Sequence, residues 1–474
     1  MHTMGHLPDW CSTAVCFLLV ATAFLFRRTG ILASQRGRRG LSIQVTDGAV
    51  AHRALLENSA AFLNRPVGVV PSSILTGGRH CNIHSAPHGP YWRAVRRNVA
   101  AGVLHPFAIG LLADTRARTL GRLVRDLRSS APAAECLHFA VYSVLVEMCF
   151  GRDVVSELAE TRLRAMHELQ QDVLRALPSF AVFVRYPRMG KLIYPWRWRQ
   201  VLALRRQQDE SFLPLVADVK SNRGKREPSS FKCYVESLVD LQIREDGGSR
   251  TVTDGELVSL ISEFLGAGTE STAASLQWTM ANLVKRPDLQ RKLRVEVDAA
   301  TCNQFGIIEE AELSCMPYLR AVVLESLRRH PPIPFVMRHM KREVAAKLLG
   351  LTVPDRGATL NFLVGKIGRD PAVWSDPAEF KPERFMPGGD GKEADLTCTR
   401  EVRMMPFGAG RRACPAIAPA MLQLEYFVAN LVREFEWWEA DGQDNAVELT
   451  EFRGLFVTSM NRPLLARLVP RKAE

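Results

Sequence analysis

Residues 406–415 read Pro-Phe-Gly-Ala-Gly-Arg-Arg-Ala-Cys-Pro and set one cysteine, Cys414, at the start of an apolar helix. A thiol just ahead of a helix has its anion favoured by the positive end of the helix dipole. Gly408 and Gly410 let main chain come close to a flat partner. Arg411 and Arg412 supply guanidinium groups that suit a carboxylate. A sulfur ligand, a close planar partner and an anionic group together point to heme held through sulfur. The competing reading is a buried structural cysteine in a Gly-rich turn.

The chain around this loop has an ordinary globular make-up, with 474 residues, 47% hydrophobic and 24% charged. It is long enough to bury a large core. Its 10 cysteines are scattered and form no close Cys-x-x-Cys pair, which argues against a zinc site and against a disulfide framework. The reducing cytosolic side of a membrane suits such a set. The net charge of +12 comes without a nucleic-acid motif, which leaves anionic lipid, an acidic protein, or a merely solvated surface.

Trp10 to Phe26 carries no charge and is followed by Arg27, Arg28, Arg36, Arg38 and Arg39. The run is at the short end for a membrane-spanning helix, and Leu7 and Pro8 can extend it. Positive charge after the run places the body of the protein on the cytoplasmic side. A cleaved signal peptide, the competitor, carries its charge before the run. The expected organisation is a transmembrane anchor over 7–27, a short basic linker over 28–44, and one catalytic domain over 45–474.

Within that domain the patterning is mostly helical. Val50 to Phe62 and Trp92 to Leu104 read as helices. Thr253 and Glu256 form a capping box ahead of a long helix that runs to about Leu283. Tyr318 to His330 is a helix stopped by Pro331-Pro332. Met421, Leu424, Val428, Leu431 and Phe435 mark the buried face of the helix behind Cys414. Thr359 to Val364 and pieces of Leu449 to Leu468 read as short strands. The fold class expected is mostly α with small β-sheets, behind one N-terminal transmembrane helix.

Three further groupings stand out. Ala267-Gly268-Thr269-Glu270-Ser271-Thr272 puts polar residues on a glycine-loosened turn of the capped helix, a place where a bent helix leaves room for a small ligand. Small residues at a helix crossing are the alternative. Glu325 and Arg328 share a helix face. Trp92 and Arg96, four apart, share another.

The cysteine loop resembles that of the cytochrome P-450 superfamily, Phe-x-x-Gly-x-Arg-x-Cys-x-Gly, at Phe407, Gly410, Arg412 and Cys414, with Ala416 where glycine is usual. Residues 267–272 match its oxygen-activation pattern, with Glu270 as the acid and Ser271 as the alcohol. Glu325-x-x-Arg328 and Pro382-Glu383-Arg384-Phe385 match its buried ion network. Trp92-x-x-x-Arg96 and Arg338 match its propionate-binding positions. The resemblance spans about Val45 to Pro470 and is nearest to plant microsomal members.

It implies a monooxygenase that binds heme b (iron protoporphyrin IX) through Cys414 as metal ligand, with Trp92, Arg96, Arg338, Phe407 and Arg412 around the cofactor and Glu270 and Ser271 catalytic. It also implies electrons from NADPH through a flavin reductase, and residence in the endoplasmic reticulum membrane with the catalytic domain in the cytoplasm. The reductase would meet Lys392, Arg400, Arg403 and Arg411. Pocket candidates are 66–88, 261–271, 331–337 and 454–457, with Phe264, Ile333, Phe335 and Phe456 pointing to an apolar or aromatic small molecule. The pattern departs between Arg27 and Leu41, where the hinge, first helix and first strands of the family have no counterpart in this reading. A shortened, non-catalytic member is therefore one alternative, and a heme-thiolate isomerase or dehydratase is the other.

Overall fold

The computed structural model describes residues 31–37, 40–66, 74–76, 81–222, 231–245, 247–300, 306–344, 354, 357–440, 442, 446–454 and 457–471. The anchor expected at 7–27, the start of the linker at 28–30, residues 67–73 and 77–80 of the pocket candidate at 66–88, and Phe456 lie outside them.

Seven helices carry the site. They are α1 Pro90–Ala101, α2 Ala133–Phe150, α3 Glu160–Ala176, α4 Pro195–Asn222, α5 Asp254–Lys285, α6 Pro317–Arg329 and α7 Ile417–Glu434. The capping box forms as the sequence predicts: the Thr253 side chain accepts from Glu256 N–H and the Glu256 side chain accepts from Thr253 N–H. Helix α2 is mostly apolar and is the one described helix long and apolar enough to cross a membrane. With 83% of that span buried inside the protein, it is a core helix. It packs along α5, and α7 packs on α5 from another side. The stripe Met421, Leu424, Val428, Leu431 and Phe435 is fully buried there.

The main sheet has four strands, β1 Ile31–Gly37, β2 Gly40–Val45, β3 Phe335–Met340 and β4 Ala358–Leu363. Their order is β1-β2-β4-β3, with β2 and β4 parallel and the outer pairs antiparallel. This corrects the expectation of a basic linker over 28–44 and of missing first strands. Leu41, Ile43 and Val45 alternate with Ser42 and Gln44, which is the period of a half-buried strand, and Ile43 and Val45 are buried. Three small antiparallel pairs complete the strands among the described residues: 242–245 with 248–251, 435–439 with 466–470, and 451–453 with 458–460.

The glycines of α5 serve a helix crossing as well as the room expected of them. The helix runs unbroken through them. A Cβ on Gly266 would sit 2.7 Å from Gln170 Nε2 on α3, and one on Gly268 would sit 2.8 Å from Leu145 Cδ1 on α2. Their smallness lets two helices approach, the close-packing role that small residues have at helix crossings.

Candidate active site

The loop before α7 is wound tightly. Gly408 and Gly410 both take φ near +71°, a region that favours glycine. Gly410 is held by a second constraint, since a Cβ there would lie 2.0 Å from the Leu55 carbonyl oxygen. Cys414 N–H donates to Phe407 O at 2.8 Å, which closes the loop. The Cys414 Sγ accepts from Ala416 N–H at 3.3 Å. Ala416 has φ of −107°, so alanine is at ease where the family pattern has glycine.

Cys414 lines a cavity of about 470 Å³. Phe407 and Gly408 line it on the same side; Ala267, Gly268, Glu270, Ser271 and Thr272 of α5 and Phe335 and Met337 of β3 also line it. The expectation that the helix end favours the free thiolate is not met by protein groups alone. Burial raises the Cys414 thiol, and the Ala416 N–H and the Arg96 charge offset this only in part. A bound cation at the sulfur would reverse the balance.

Guanidinium groups gather beside the cysteine. Arg65, Arg96 and Arg412 line the cavity. Arg338 does not line it but shares a face of β3 with Val336, which does, and with buried Met340. Each is pushed down from the usual arginine range, first by burial. Neighbouring arginines add to this at three of them: Arg96 on Arg65, Arg65 and Arg412 on Arg338, and Arg65 and Arg96 on Arg412, which falls to about 10. The carboxylate that bears on Arg65, Arg96 and Arg412 is Glu263, itself held by Ile83 N–H at 2.6 Å, His84 N–H at 2.8 Å and His84 Nδ1 at 2.5 Å. Crowded like charges with so little counter-charge are stable only with anions added, and planar guanidinium groups suit carboxylates. The two propionates of heme fit that need, with the Cys414 sulfur on the same cavity.

The individual bonds differ from the sequence expectation. The Trp92 indole N–H donates to Ile83 O at 3.0 Å, and Arg96 donates to Ala413 O at 2.5 Å. Arg412 donates to Leu63 O at 2.5 Å, Ile83 O at 3.3 Å and Ala86 O at 2.7 Å, and lies 4.7 Å from the Trp92 ring centre. Buried donors take the acceptors within reach, so here Arg412 ties the cysteine loop to Leu63, Ile83 and Ala86. His84 and Glu263 fall within the stretches 66–88 and 261–271 expected to line the pocket, but neither was singled out, and Arg65, one residue before the first stretch, was missed.

On α5, the Ser271 hydroxyl donates back to Ala267 O at 2.8 Å. Glu270 is partly exposed and meets His138 Nε2 at 3.0 Å. Away from the cavity, the Glu325 network assembles as expected. Arg328 donates to Glu325 at 2.6 and 2.8 Å, Lys381 N–H donates to it at 2.8 Å, and Arg384 at 3.3 Å. Of the basic candidates for a partner surface, Lys392, Arg400 and Arg411 are exposed, whereas Arg403 is half-buried and bonded to Glu401 and to Asp390 O.

Comparison with known proteins agrees with this arrangement. The family model described as Cytochrome P-450 matches residues 31–464. Cytochrome P-450 89A9 of Arabidopsis thaliana is 39% identical over 91% of this chain and 84% of its own length. A flavonoid 3',5'-hydroxylase of Crocosmia x crocosmiiflora is 28% identical over 88% of this chain and 81% of its own. A zebra fish cytochrome P-450 structure with progesterone has a TM-score of 0.74 at 21% identity, covering 98% of this chain and 100% of that one.

Proposed function

The chain belongs to the cytochrome P-450 family and is a heme-dependent monooxygenase, and on that premise we propose the residues, partners and substrate class that go with this activity. Cys414 is the heme ligand; Arg96, Arg338, Arg412 and Trp92 serve the propionate end, with Arg65 beside them; and Phe407 packs at the thiolate side. The observation that carries this reading is the pairing of Cys414 with a crowd of under-compensated arginines, Arg65, Arg96 and Arg412 on the same cavity and Arg338 beside it. Heme held through a thiolate supplies the oxidising power, because electron density from sulfur favours O–O cleavage. The protein's part is to hold protons at Glu270 and Ser271, exclude water and orient the substrate.

The substrate is an apolar or aromatic small molecule. Phe264, Ile333, Phe335 and Leu327 on the cavity wall support this, as does the similarity to a flavonoid hydroxylase. Electrons come from NADPH through a flavin reductase that docks on the exposed basic residues near the cysteine loop. The protein sits on the endoplasmic reticulum membrane, anchored by residues 7–27. A second feature supports membrane contact. Tyr186, Met189, Leu192, Ile193 and Trp196 are exposed together, Leu192 at 75%, among Arg185, Arg188, Lys191 and Arg197. Apolar side chains ringed by basic ones suit a lipid headgroup boundary.

The test is oxygen uptake coupled to NADPH oxidation, measured on the membrane-expressed protein with a flavin reductase and a panel of aromatic substrates. Uptake that a substrate accelerates is the expected result. Product formation without oxygen would instead favour an isomerase or dehydratase.

A further inference from the structure

A line of hydrogen bonds leads away from the cavity at Glu270. Its Oε1 lies 3.0 Å from Nε2 of His138 on α2, and Nδ1 of His138 lies 2.6 Å from Nε2 of His167 on α3. Gln171, one turn beyond His167, points its Nε2 at the bridge, 3.5 Å from His138 Nδ1 and 3.4 Å from His167 Nε2. The Gln171 oxygen accepts from Arg175 at 2.7 Å, which fixes the amide the right way round.

The connectivity sets where each proton lies. A carboxylate only accepts, so His138 carries a proton on Nε2, and as a neutral ring it accepts on Nδ1. His167 then donates from Nε2, and the Gln171 amide, almost equally near both ring nitrogens, stands beside this bond without deciding its direction. The His167 Nδ1 has no protein hydrogen bond among the described residues, and the ring is partly exposed. Burial, followed by the charges of His138, Arg164 and Arg175, pushes the His167 imidazolium down to about 3. The ring is therefore neutral in ordinary buffers and does not hold an incoming proton.

We propose that His167 and His138 form a proton relay that recharges Glu270 from solvent; this rests on the functional reading above. A proton from water binds His167 Nδ1. The Nε2 proton of His167 passes to His138 Nδ1, and the Nε2 proton of His138 passes to Glu270 Oε1. One proton enters and one arrives. Both rings end neutral in the opposite tautomer and return by rotation or by exchange with water. Monooxygenation consumes protons in the cavity, and each one that Glu270 gives up there makes room for the next transfer.

Two other readings compete. Among the described residues no group of three or more His, Cys, Asp or Glu side chains is placed to hold a metal ion. The other is a static ion pair between a doubly protonated His138 and Glu270, which experiment separates from the relay.

The first readout is 15N-histidine NMR of the full-length protein in lipid nanodiscs, in its diamagnetic reduced carbonyl form. His138→Gln and His167→Gln assign the signals. The relay requires a singly protonated ring at both positions, with the proton on Nε2. A doubly protonated His138 would overturn the relay. The second readout compares NADPH-driven turnover with peroxide-driven oxidation of guaiacol, since peroxide brings its own protons. His138→Phe and His167→Phe should each lower the ratio of the two rates by about tenfold. An unchanged ratio in both variants would also overturn the relay. The carbonyl spectrum recorded for each protein depends on Cys414 and not on the histidines, so a failure of the functional reading is seen there and stays distinct from a failure of the relay.

Discussion

Arg328 and Arg338 are buried almost equally, at 1% and 2% exposure, and their surroundings are opposite. Arg328 places all of its N–H donors on protein acceptors, namely Glu325 and the carbonyls of Gly368, Pro377 and Glu379. Arg338 makes one hydrogen bond among the described residues, to Met337 O, and faces the charges of Arg65 and Arg412. The first network is complete within the chain and serves the fold. The second needs something the chain does not supply, and what it needs is negative charge. Burial alone would rank the two alike; counting partners and counter-charges separates a structural arginine from a ligand-binding one.

The sharpest way to break the closed side is Glu325→Ala. It leaves Arg328 and Arg384 buried without their carboxylate, and a loss of about 3–5 kcal/mol is expected. Urea unfolding and the yield of heme-loaded protein would both report it. A shift within error would mean the network is not what holds this region together.

The open side should answer in two directions. Arg338→Leu removes a charge crowded by its own kind, so heme-free protein is expected to melt no lower than wild type. Heme retention should fall by about 10–100-fold, the loss of a hydrogen bond to a charged group. Heme transfer to an acceptor protein measures the second effect and thermal melting the first. A variant that loses stability and keeps its heme would place Arg338 with Arg328 after all.

A second closed cluster gives a pH test. His330 stacks on Trp278 at 4.0 Å and meets Glu451 at 3.3 Å, and Arg369 also bonds Glu451. Burial, ahead of the nearby charges, lowers His330 to about 4 from an ordinary 6.5. A depressed histidine contributes stability that is present above its unfolded pKa and lost as pH falls toward the folded one. Roughly 2 kcal/mol should therefore disappear between about pH 7.5 and pH 5. His330→Phe keeps the stacking and should flatten that slope; an unchanged slope would assign the acid sensitivity elsewhere.

Ser271→Ala should have the smallest effect on stability, within about 0.5 kcal/mol, because it removes only a bond back along its own helix. The fraction of NADPH electrons that reach product should fall all the same. Equal coupling in the variant would remove Ser271 from the chemistry.

Much of this was legible in the sequence because it lies in short contiguous patterns. The cysteine loop, the capping box at Thr253 and the Glu325-x-x-Arg328 turn are local, and each forms where the spacing predicts. Groups joined only by the fold were not legible. Arg65, Glu263, His138 and His167 come from separate segments, and no spacing links them. Strand β2 was legible in principle from the alternation of Leu41, Ile43 and Val45, but the basic residues before it drew the reading toward a linker. The glycines of α5 were assigned to ligand room, and they do line the cavity, but the neighbours that also require their smallness, Gln170 and Leu145, lie about a hundred residues or more away in the chain.

The central claim, that Cys414 and the arginines beside it form a heme-thiolate site, is tested most directly by the carbon-monoxide difference spectrum of the reduced, membrane-expressed protein, recorded beside Cys414→Ala. The account predicts the red-shifted Soret band of thiolate-ligated heme in the wild type and its loss in the variant. The same band in Cys414→Ala, or no heme band in well-expressed wild type, would contradict it.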